Sequence, residues 1–503
     1  MTSQSEPETY EADLPEQMRV RRAKRADLLE RGIEPYPIAV PRTHTLRQIR
    51  ELYDTPDLEP DTRTGVDVSI TGRVIFRRDT GKLCFLRLRE GDGTELQAMV
   101  SLADVGEESL ADLKAAVDIG DLLSVTGEVV TSRRGELSVR VTSWQFAAKA
   151  LRPLPVEHRP LSDEVKIRMR YVDMIQHERP RQMVRAKATL LKSFRSTLDR
   201  LGYVEVETPV LQLTNGGAAA RPFRTHLEAF DQEMLLRIAL ELDLKRAVAG
   251  GVDQVYEIGK TFRNEGIDST HSAEFMMMEA YQAYGDYNTM MDLASELILD
   301  AAKSLDRVVV PARDGSEIDL AKPWRQAALL ELVSGAVGEP LTLHTDVDQI
   351  RRLAADREVE LQDSWGTPEI IHELYEKLVE GTLIEPTFVC DYPAAVRPLA
   401  KPHRSDPDLV EAFDLVINGV EIGPAYTELN DPVIQRERLV EQSLLAAAGD
   451  PEAMELDEEF LRAMEFGMPP MGGIGLGIDR IVALLMGAAS IRESILFPLL
   501  RPE

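Results

Sequence analysis

The sequence predicts an α+β protein, a small N-terminal β-barrel followed by a larger domain that mixes helices with strands. Three observations predict it. Between Val66 and about Trp144, five short runs alternate apolar and polar residues with the period of half-buried strands. A proline-bearing stretch, Leu151-Arg-Pro-Leu-Pro-Val156 with Pro160 beyond it, then breaks the pattern. After it, helical spacing and strand alternation succeed one another to the end of the chain. A chain of 503 residues is long enough for more than one core.

Composition narrows the class. Hydrophobic and charged fractions of 44% and 29% are those of an ordinary soluble globular protein. The only cysteines, Cys84 and Cys390, lie far apart, so neither a disulfide framework nor a thiolate zinc site is expected, and a reducing cytoplasm is. Residues Met1 to Glu16 are polar and acidic, with no apolar core for a signal peptide, and no run could span a bilayer. The net charge of -28 argues against a general nucleic-acid binder, because phosphate contacts need local cations. Binding depends on patches, however. Arg19, Arg21, Arg22, Lys24, Arg25 and Arg31 cluster against Glu16, Asp27 and Glu30, and on composition they read as a solvated helix face.

Residues 1 to about 13 are expected to be disordered. Leu14 to Gly32 reads as a basic helix ended by glycine, before a Pro35-Tyr-Pro37 turn. The barrel strands are Val66–Val74, Leu83–Arg89, Glu95–Val100, Leu122–Val130 and Glu136–Val141, the second and third joined through Gly91-Asp-Gly93. Parity turns Cys84, Leu86 and Leu88 inward and Phe85, Arg87 and Arg89 outward. Leu96, Ala98 and Val100 face in and Gln97 out; Leu137, Val139 and Val141 face in, with Glu136 and Arg140 out. An exposed ring between arginines, with Gln97 and Glu136 nearby, suits stacking and reading of an unpaired base. A single stray surface Phe accounts for it equally well.

In the larger domain, Met183 to Leu201 is an amphipathic helix running through Gly202 into Tyr203-Val-Glu-Val-Glu-Thr-Pro209. Two alternating runs follow, Val255 to Glu265 and Glu274 to Tyr281, joined by a polar loop holding His271, and these read as a hairpin. Glu257, Gly259, Thr261, Arg263 and Glu265 share one face of it; Phe275, Met277, Glu279 and Tyr281 share a face of the returning strand. A cation, an exposed ring and several carboxylates suit an anionic nucleotide beside a cationic small molecule. Third is Gly472-Gly-Ile-Gly-Leu-Gly-Ile-Asp-Arg480, glycine-rich backbone leading into a helix. Gly473, Gly475 and Gly477 give G-x-G-x-G rather than G-x-G-x-x-G, with too little chain beyond for a dinucleotide-binding unit. The region from about Asp306 to Pro386 has helical patches and charge without an interpretable motif.

These three segments resemble motifs 1, 2 and 3 of the class II aminoacyl-tRNA synthetases, most closely the bacterial-type lysyl-tRNA synthetases. Asn215-Gly-Gly-Ala-Ala-Ala-Arg-Pro-Phe223, Leu236 to Arg246 and Ser490 to Pro498 support the resemblance, which extends over nearly the whole chain. It implies a basic helix and lead-in (1–60), an OB-fold anticodon-binding barrel (61–150), a linker (151–165) and a class II catalytic domain (166–503), an antiparallel sheet flanked by helices, with a helical insertion around 306–386. It implies a lysine–tRNA ligase using ATP and Mg2+, with tRNA as partner and a homodimer as assembly. By resemblance Arg263 clamps the α-phosphate and the substrate carboxylate, Phe275 stacks on adenine, and Arg480 lies near the γ-phosphate. Glu265 and His271 contact the nucleotide. Gly217 and Glu241 would hold the α-amino group, Glu428 and Tyr281 the ε-ammonium; Glu279 supports the pocket and Tyr426 lines the stem. Phe85, Gln97 and Glu136 would read the central anticodon uridine.

Asn418-Gly419 is the strongest short hairpin signal in this part of the chain. With those two residues at the turn, Ile417 pairs with Val420 and Val416 with Glu421, leaving Asp414 one diagonal step from Glu421 on the same face. The resemblance makes Asp414 and Glu421 the magnesium pair, with aspartate where glutamate is usual. The chain departs from the family pattern elsewhere too. Pro424, Ala425 and Tyr426 stand for asparagine, glycine and phenylalanine, and the asparagine contacts the substrate carboxylate. Leu240 replaces a proline, Asp243 a tyrosine, and Ser272-Ala273 an Asn-Pro pair. The expected functions are therefore lysine–tRNA ligation, ligation of a lysine-like amino acid to tRNA or another acceptor, or non-catalytic amino-acid sensing.

Overall fold

The structure, a computed structural model, describes residues 14–55, 58–155, 161–447 and 453–501; the expected disorder before residue 14 and linker residues 156–160 lie outside the described residues. The chain forms two compact units, Met1–Arg181 and Gln182–Glu503.

The first unit opens with helix α1 (Glu16–Glu30) and closes β1 (Arg63–Asp79), β2 (Leu83–Arg89), β3 (Glu95–Ser101), β4 (Leu122–Thr131) and β5 (Leu137–Ala148) into a barrel of order β1-β2-β3-β5-β4. The strands expected from alternation are all present, and β1 and β5 run several residues further than the alternation indicated. Cys84, Leu86, Leu88, Leu96, Ala98, Val100, Val139 and Val141 fill the interior. Each fully buried aliphatic side chain contributes roughly 1.5–3 kcal/mol. A one-residue slip would turn a whole row outward, so the core fixes which side chains face solvent. The basic helix is more than a solvated face. Arg21 donates to Ile119 O at 2.8 Å and Ala150 O at 2.9 Å, Lys24 pairs with Asp118 at 2.6 Å, and Leu28 enters the barrel core.

The second unit is built on an eight-stranded sheet. Helix α2 (Arg179–Leu201) leads into β6 (Val204–Glu205); α3 (Glu241–Ala249) precedes β7 (Gln254–Phe262) and β8 (Glu274–Ala283), followed by α4 (Tyr287–Ser304). The region without a motif supplies strand β9 (Arg325–Ala328) and helices α5 (Leu329–Val337), α6 (Val347–Ala355) and α7 (Thr367–Leu378). Then come β10 (Thr387–Pro393), β11 (Leu409–Ile417), β12 (Val420–Thr427), β13 (Met471–Gly477) and α8 (Ile478–Leu485). The sheet order is β9-β10-β11-β12-β13-β8-β7-β6, antiparallel except for the β9–β10 and β6–β7 pairs. Leu190, Phe194 and Leu198 of α2, Leu297 of α4 and Ile481 of α8 pack into one core with Met278 and Phe413 of the sheet. A second core joins α5, α6 and α7 to β10 and β11. Among the described residues no helix is long and apolar enough to cross a membrane.

Candidate active site

The β7–β8 hairpin pairs Glu257 with Glu279, Gly259 with Met277 and Thr261 with Phe275, and Arg263 N extends the ladder to Ala273 O at 2.9 Å. Side chains directly opposite in an antiparallel pair share a face, so this register gathers Arg263, Phe275 and Glu279 on one surface. Glu257 is on that face but is taken up by Arg237, 2.7 Å away, and by the Thr208 hydroxyl at 2.7 Å. Among the described residues Arg263 keeps no carboxylate partner within ion-pair distance. Its guanidinium lies 5.2 Å from the Phe275 ring centre and makes only a long 3.4 Å bond to Ile238 O. Burial pulls its pKa below the ordinary arginine value, with Glu265 and Glu421 partly offsetting the effect. In the connecting loop, Asp268 accepts from Thr270 N at 2.6 Å and His271 N at 2.8 Å and holds His271 Nδ1 at 3.0 Å. The Glu265 carboxylate receives Arg221 N at 3.2 Å.

Arg263, Glu265, His271 and Phe275 line a cavity of about 350 Å3 together with Gly217, Glu241, Glu279, Tyr281, Asp414, Glu421, Tyr426 and Arg480. Of the residues expected in the catalytic site, only Glu428 is not among the lining residues; it sits fully buried behind them. Arg480 crosses to β12, donating to Glu421 O at 2.7 Å. Its neighbour Asp479 is buried, takes Lys187 of α2 at 2.5 Å and accepts from Met276 N at 3.0 Å, which fixes α8 against the hairpin.

The acidic end carries an element absent from the expected set. Lys245, fully buried on α3, bridges Glu241, 2.5 Å away, and Glu428. Burial opposes its charge, but the two carboxylates outweigh that and raise its pKa. Burial also raises the pKa of Glu428, and it pushes Glu279 up to about 7. Glu279 accepts from Leu240 N at 2.9 Å and from Tyr281 OH at 3.1 Å, so the tyrosine hydroxyl is held by Glu279 rather than turned to Glu428. Gly473 of β13 lies against this cluster. A Cβ there would overlap Glu428 Oε1 and the Tyr281 ring. The i,i+4 spacing of Glu241 and Lys245 was the signal that could have revealed the bridge.

Strand β12 supplies the remaining wall. Asn418 and Gly419, with φ of 58° and 68°, form the expected turn, and Ile417–Val420 and Val416–Glu421 pair as expected. A bulge then shifts the register so that Asp414 faces Pro424 rather than Gly423. The extra residue keeps Glu421 and Pro424 on one face, which Tyr426 and Glu428 continue. Proline is accommodated because the β12–β13 ladder begins only at Ala425. Glu421 stays opposite Val416, two residues from Asp414, so the pair keeps its diagonal step, but Asp414 is not a free carboxylate. Its Oδ2 takes Arg397 Nη2 at 2.6 Å and Tyr392 OH at 2.7 Å, while Oδ1 is buried with no hydrogen-bond partner. Helix α7 and the turn after it add Tyr375, Glu376 and Glu380 to the lining; burial, then Glu421 and Asp414, push Glu380 up to about 7. Among the described residues no three His, Cys, Asp or Glu side chains form a metal-binding cluster. Asp414 Oδ1 has no hydrogen-bond partner among the described residues and Glu421 meets only Arg480, 3.7 Å away, so the pair fits an ion that completes its shell with other oxygens.

On the barrel, Phe85 is half-buried under Arg78, whose guanidinium lies 5.0 Å from the ring centre. Gln97 donates to Ser138 Oγ at 2.9 Å, and Glu136 sits just before β5, exposed and 3.6 Å from Arg50. Phe76 joins this face opposite Arg87, with that guanidinium 5.8 Å from its ring centre. It was missed because the alternation ended at Val74, where β1 bulges before Phe76.

The family described as tRNA synthetases class II (D, K and N) matches residues 162–501, and the OB-fold nucleic acid binding domain matches residues 68–147. The chain belongs to the class II tRNA synthetases. It is 50% identical to the lysine–tRNA ligase of Mycolicibacterium gilvum (strain PYR-GCK), across 100% of this chain and 99% of that protein. It is 49% identical to the lysine–tRNA ligase of Kineococcus radiotolerans, across 99% of each chain. It is also 46% identical to the lysylphosphatidylglycerol biosynthesis bifunctional protein LysX of Mycolicibacterium vanbaalenii, across 97% of this chain but 44% of that protein.

Proposed function

We propose that this chain is a lysine–tRNA ligase, joining lysine to ATP as lysyl-adenylate and passing the lysyl group to the 3′ end of tRNA. The observation that carries the reading is the polarity of the cavity. An arginine without a carboxylate partner, Arg263, lies over the Phe275 ring at one end, and Glu241, Glu279 and Glu428 cluster at the other. Lysine has a carboxylate at one end and an ammonium at the other, with an apolar stem that Tyr426 can line. Aspartate or asparagine would bring no side-chain cation to that end, where Lys245 serves Glu241 and Glu428 and Glu279 has none.

In the first step a lysine carboxylate oxygen bonds to the α-phosphorus of ATP and the bond to pyrophosphate breaks. In the second, a ribose hydroxyl of the tRNA terminus attacks the lysyl carbonyl and AMP leaves. In the first step every reacting group is anionic, so the chain contributes position and positive charge rather than a side-chain nucleophile. Arg263 would contact both the carboxylate and the α-phosphate, Phe275 would stack on adenine, and Glu265 and His271 would meet the nucleotide. Arg480 would lie on the far side of ATP. Gly217 backbone and Glu241 would hold the α-amino group, Glu428 the ε-ammonium, with Glu279 and Tyr281 supporting them. Mg2+ arriving with ATP would be held by Glu421 and Asp414 Oδ1, where it would neutralise phosphate charge.

Pyrophosphate exchange into ATP, run across a panel of amino acids and followed by charging of total tRNA, tests the reading. Lysine-dependent exchange and charging are expected. Exchange with a different amino acid would assign another substrate, and none at all would support the sensor reading.

Phe85, Gln97 and Glu136 are proposed to read the anticodon. Loss of one stacked base costs about 1–3 kcal/mol. Phe85→Ala should therefore lower charging by about 5- to 150-fold while lysine-dependent exchange continues. Unchanged charging would remove this face from the reading. The α2–β6 segment resembles the dimer motif of the class, and Val204 and Leu211 are 52% and 42% exposed. A dimer mass by analytical ultracentrifugation is expected. Cys84 and Cys390 are buried free thiols, in keeping with a cytoplasmic protein.

A further inference from the structure

We propose that Arg397 is a specificity-determining residue that binds the substrate carboxylate, supplying a donor that the chain cannot place at Pro424. The proposal rests on the lysine–tRNA ligase reading and concerns one contact within it.

Strand β12 orders the cavity. Along its face Glu428 marks the ammonium end, Tyr426 the stem and Glu421 the phosphate end, with Pro424 between stem and phosphates. A carboxylate held at that level needs hydrogen-bond donors. Proline offers neither a side-chain donor nor a backbone N–H.

The neighbouring strand brings one to the same level. Asp414 lies directly opposite Pro424, and its Oδ2 holds Arg397 Nη2 at 2.6 Å. The guanidinium also stacks on Tyr392, 4.5 Å from the ring centre, and Tyr392 donates to the same carboxylate oxygen at 2.7 Å. One N–H of the fork is thus pinned, which lowers the entropy lost when a neighbouring N–H binds. The adjacent Nε–H is open. Arg397 Nε is buried with no hydrogen-bond partner among the described residues, and Arg397 lines the same cavity as Arg263 and Pro424.

Neutralising Asp414 alone does not explain this arrangement, because a buried N–H left unpaired is costly. An oxyanion arriving with the substrate would satisfy it. Two oxyanions enter the cavity, the lysine carboxylate and the ATP phosphates. The register favours the carboxylate, because Asp414 anchors Arg397 at Pro424, whereas Glu421 pairs with Val416 nearer the turn.

The test compares three ligands. Arg397→Ala should raise the KM for lysine about 10- to 100-fold, the effect of losing one charge-assisted hydrogen bond. It should leave the KM for ATP, and inhibition by 1,5-diaminopentane, within about twofold of the parent. That diamine is lysine without its carboxylate, so it reports the ammonium end and stem alone. Pro424→Asn in the Arg397→Ala background should recover lysine affinity by restoring a side-chain donor. A raised KM for ATP with lysine unaffected would assign the contact to phosphate and overturn the proposal. Equal weakening of lysine and the diamine would reduce Arg397 to a structural role, and unchanged constants would overturn it outright. If Arg397→Ala does not fold, Arg397→Gln carries the same comparison. Absence of lysine-dependent exchange in the parent protein would instead defeat the ligase reading, so the two failures are distinguishable.

Discussion

Arg263→Ala should abolish lysine-dependent exchange, lowering kcat/KM by at least about 10²- to 10³-fold, the loss expected for one preorganised charge-stabilising donor. Its denaturation midpoint should stay level or rise. The two expectations belong together because of where Arg263 stands. Glu257, the carboxylate that shares its hairpin face in the β7 strand, is already held by Arg237. Removing Arg263 therefore strands no carboxylate, and it relieves the burial of a cation whose pKa is depressed by its surroundings. A residue kept in that condition is stabilised when an anion binds. Exchange kinetics together with urea denaturation decide the matter. Retained exchange would show that the α-phosphate is held elsewhere, and a large fall in stability would make Arg263 a structural cation.

Lys245→Met should destabilise the second unit by about 3–5 kcal/mol, because it leaves Glu241 and Glu428 buried without their cation. The loss should depend on pH in a defined direction. In the parent, Lys245 is held above its usual pKa, so its own charge is fully present below about pH 10. In the variant Glu428, whose pKa burial already raises in the parent, loses the cation that lowered it and keeps a folded value above the unfolded value of about 4.3. Its ionisation costs nothing extra below that value and opposes folding increasingly as pH rises from there to the raised pKa. The stability gap should therefore widen from pH 5 to pH 8, and added lysine should narrow it by supplying ammonium groups. Urea midpoints at several pH values measure this. A gap independent of pH would mean that Lys245 acts through packing alone.

The fold was legible where one face is apolar and the other is not. Cys84, Leu86 and Leu88 announce a barrel strand, and the Asn418-Gly419 turn fixed the start of the β11–β12 register correctly. The hairpin face that gathers Arg263, Phe275 and Glu279 was legible for the same reason. Pairing between charged groups was not, because alternation reports which way a side chain points and not which partner it meets. Nothing local to Asp414 reveals that Arg397, in a turn before β11, will claim it, and nothing local to Glu257 reveals Arg237. The bulge in β12 was invisible to simple counting, although Pro424 gave a reason to expect an irregularity. Lys245 came nearest to being legible, one helical turn from Glu241 on the same helix.

Gly473 bears on how this site could acquire a new substrate. The floor beneath Glu428 and the Tyr281 ring is bare backbone, with no room for a single added carbon. Variation there is closed in both directions, since nothing larger fits and nothing smaller exists. Descendants of this sequence, natural or selected in the laboratory, can reshape the amino-acid pocket only through its walls, at Tyr281, Tyr426 and the carboxylates around Lys245. Those wall positions are coupled to one another through shared charge, so a productive path would change several of them together rather than one at a time.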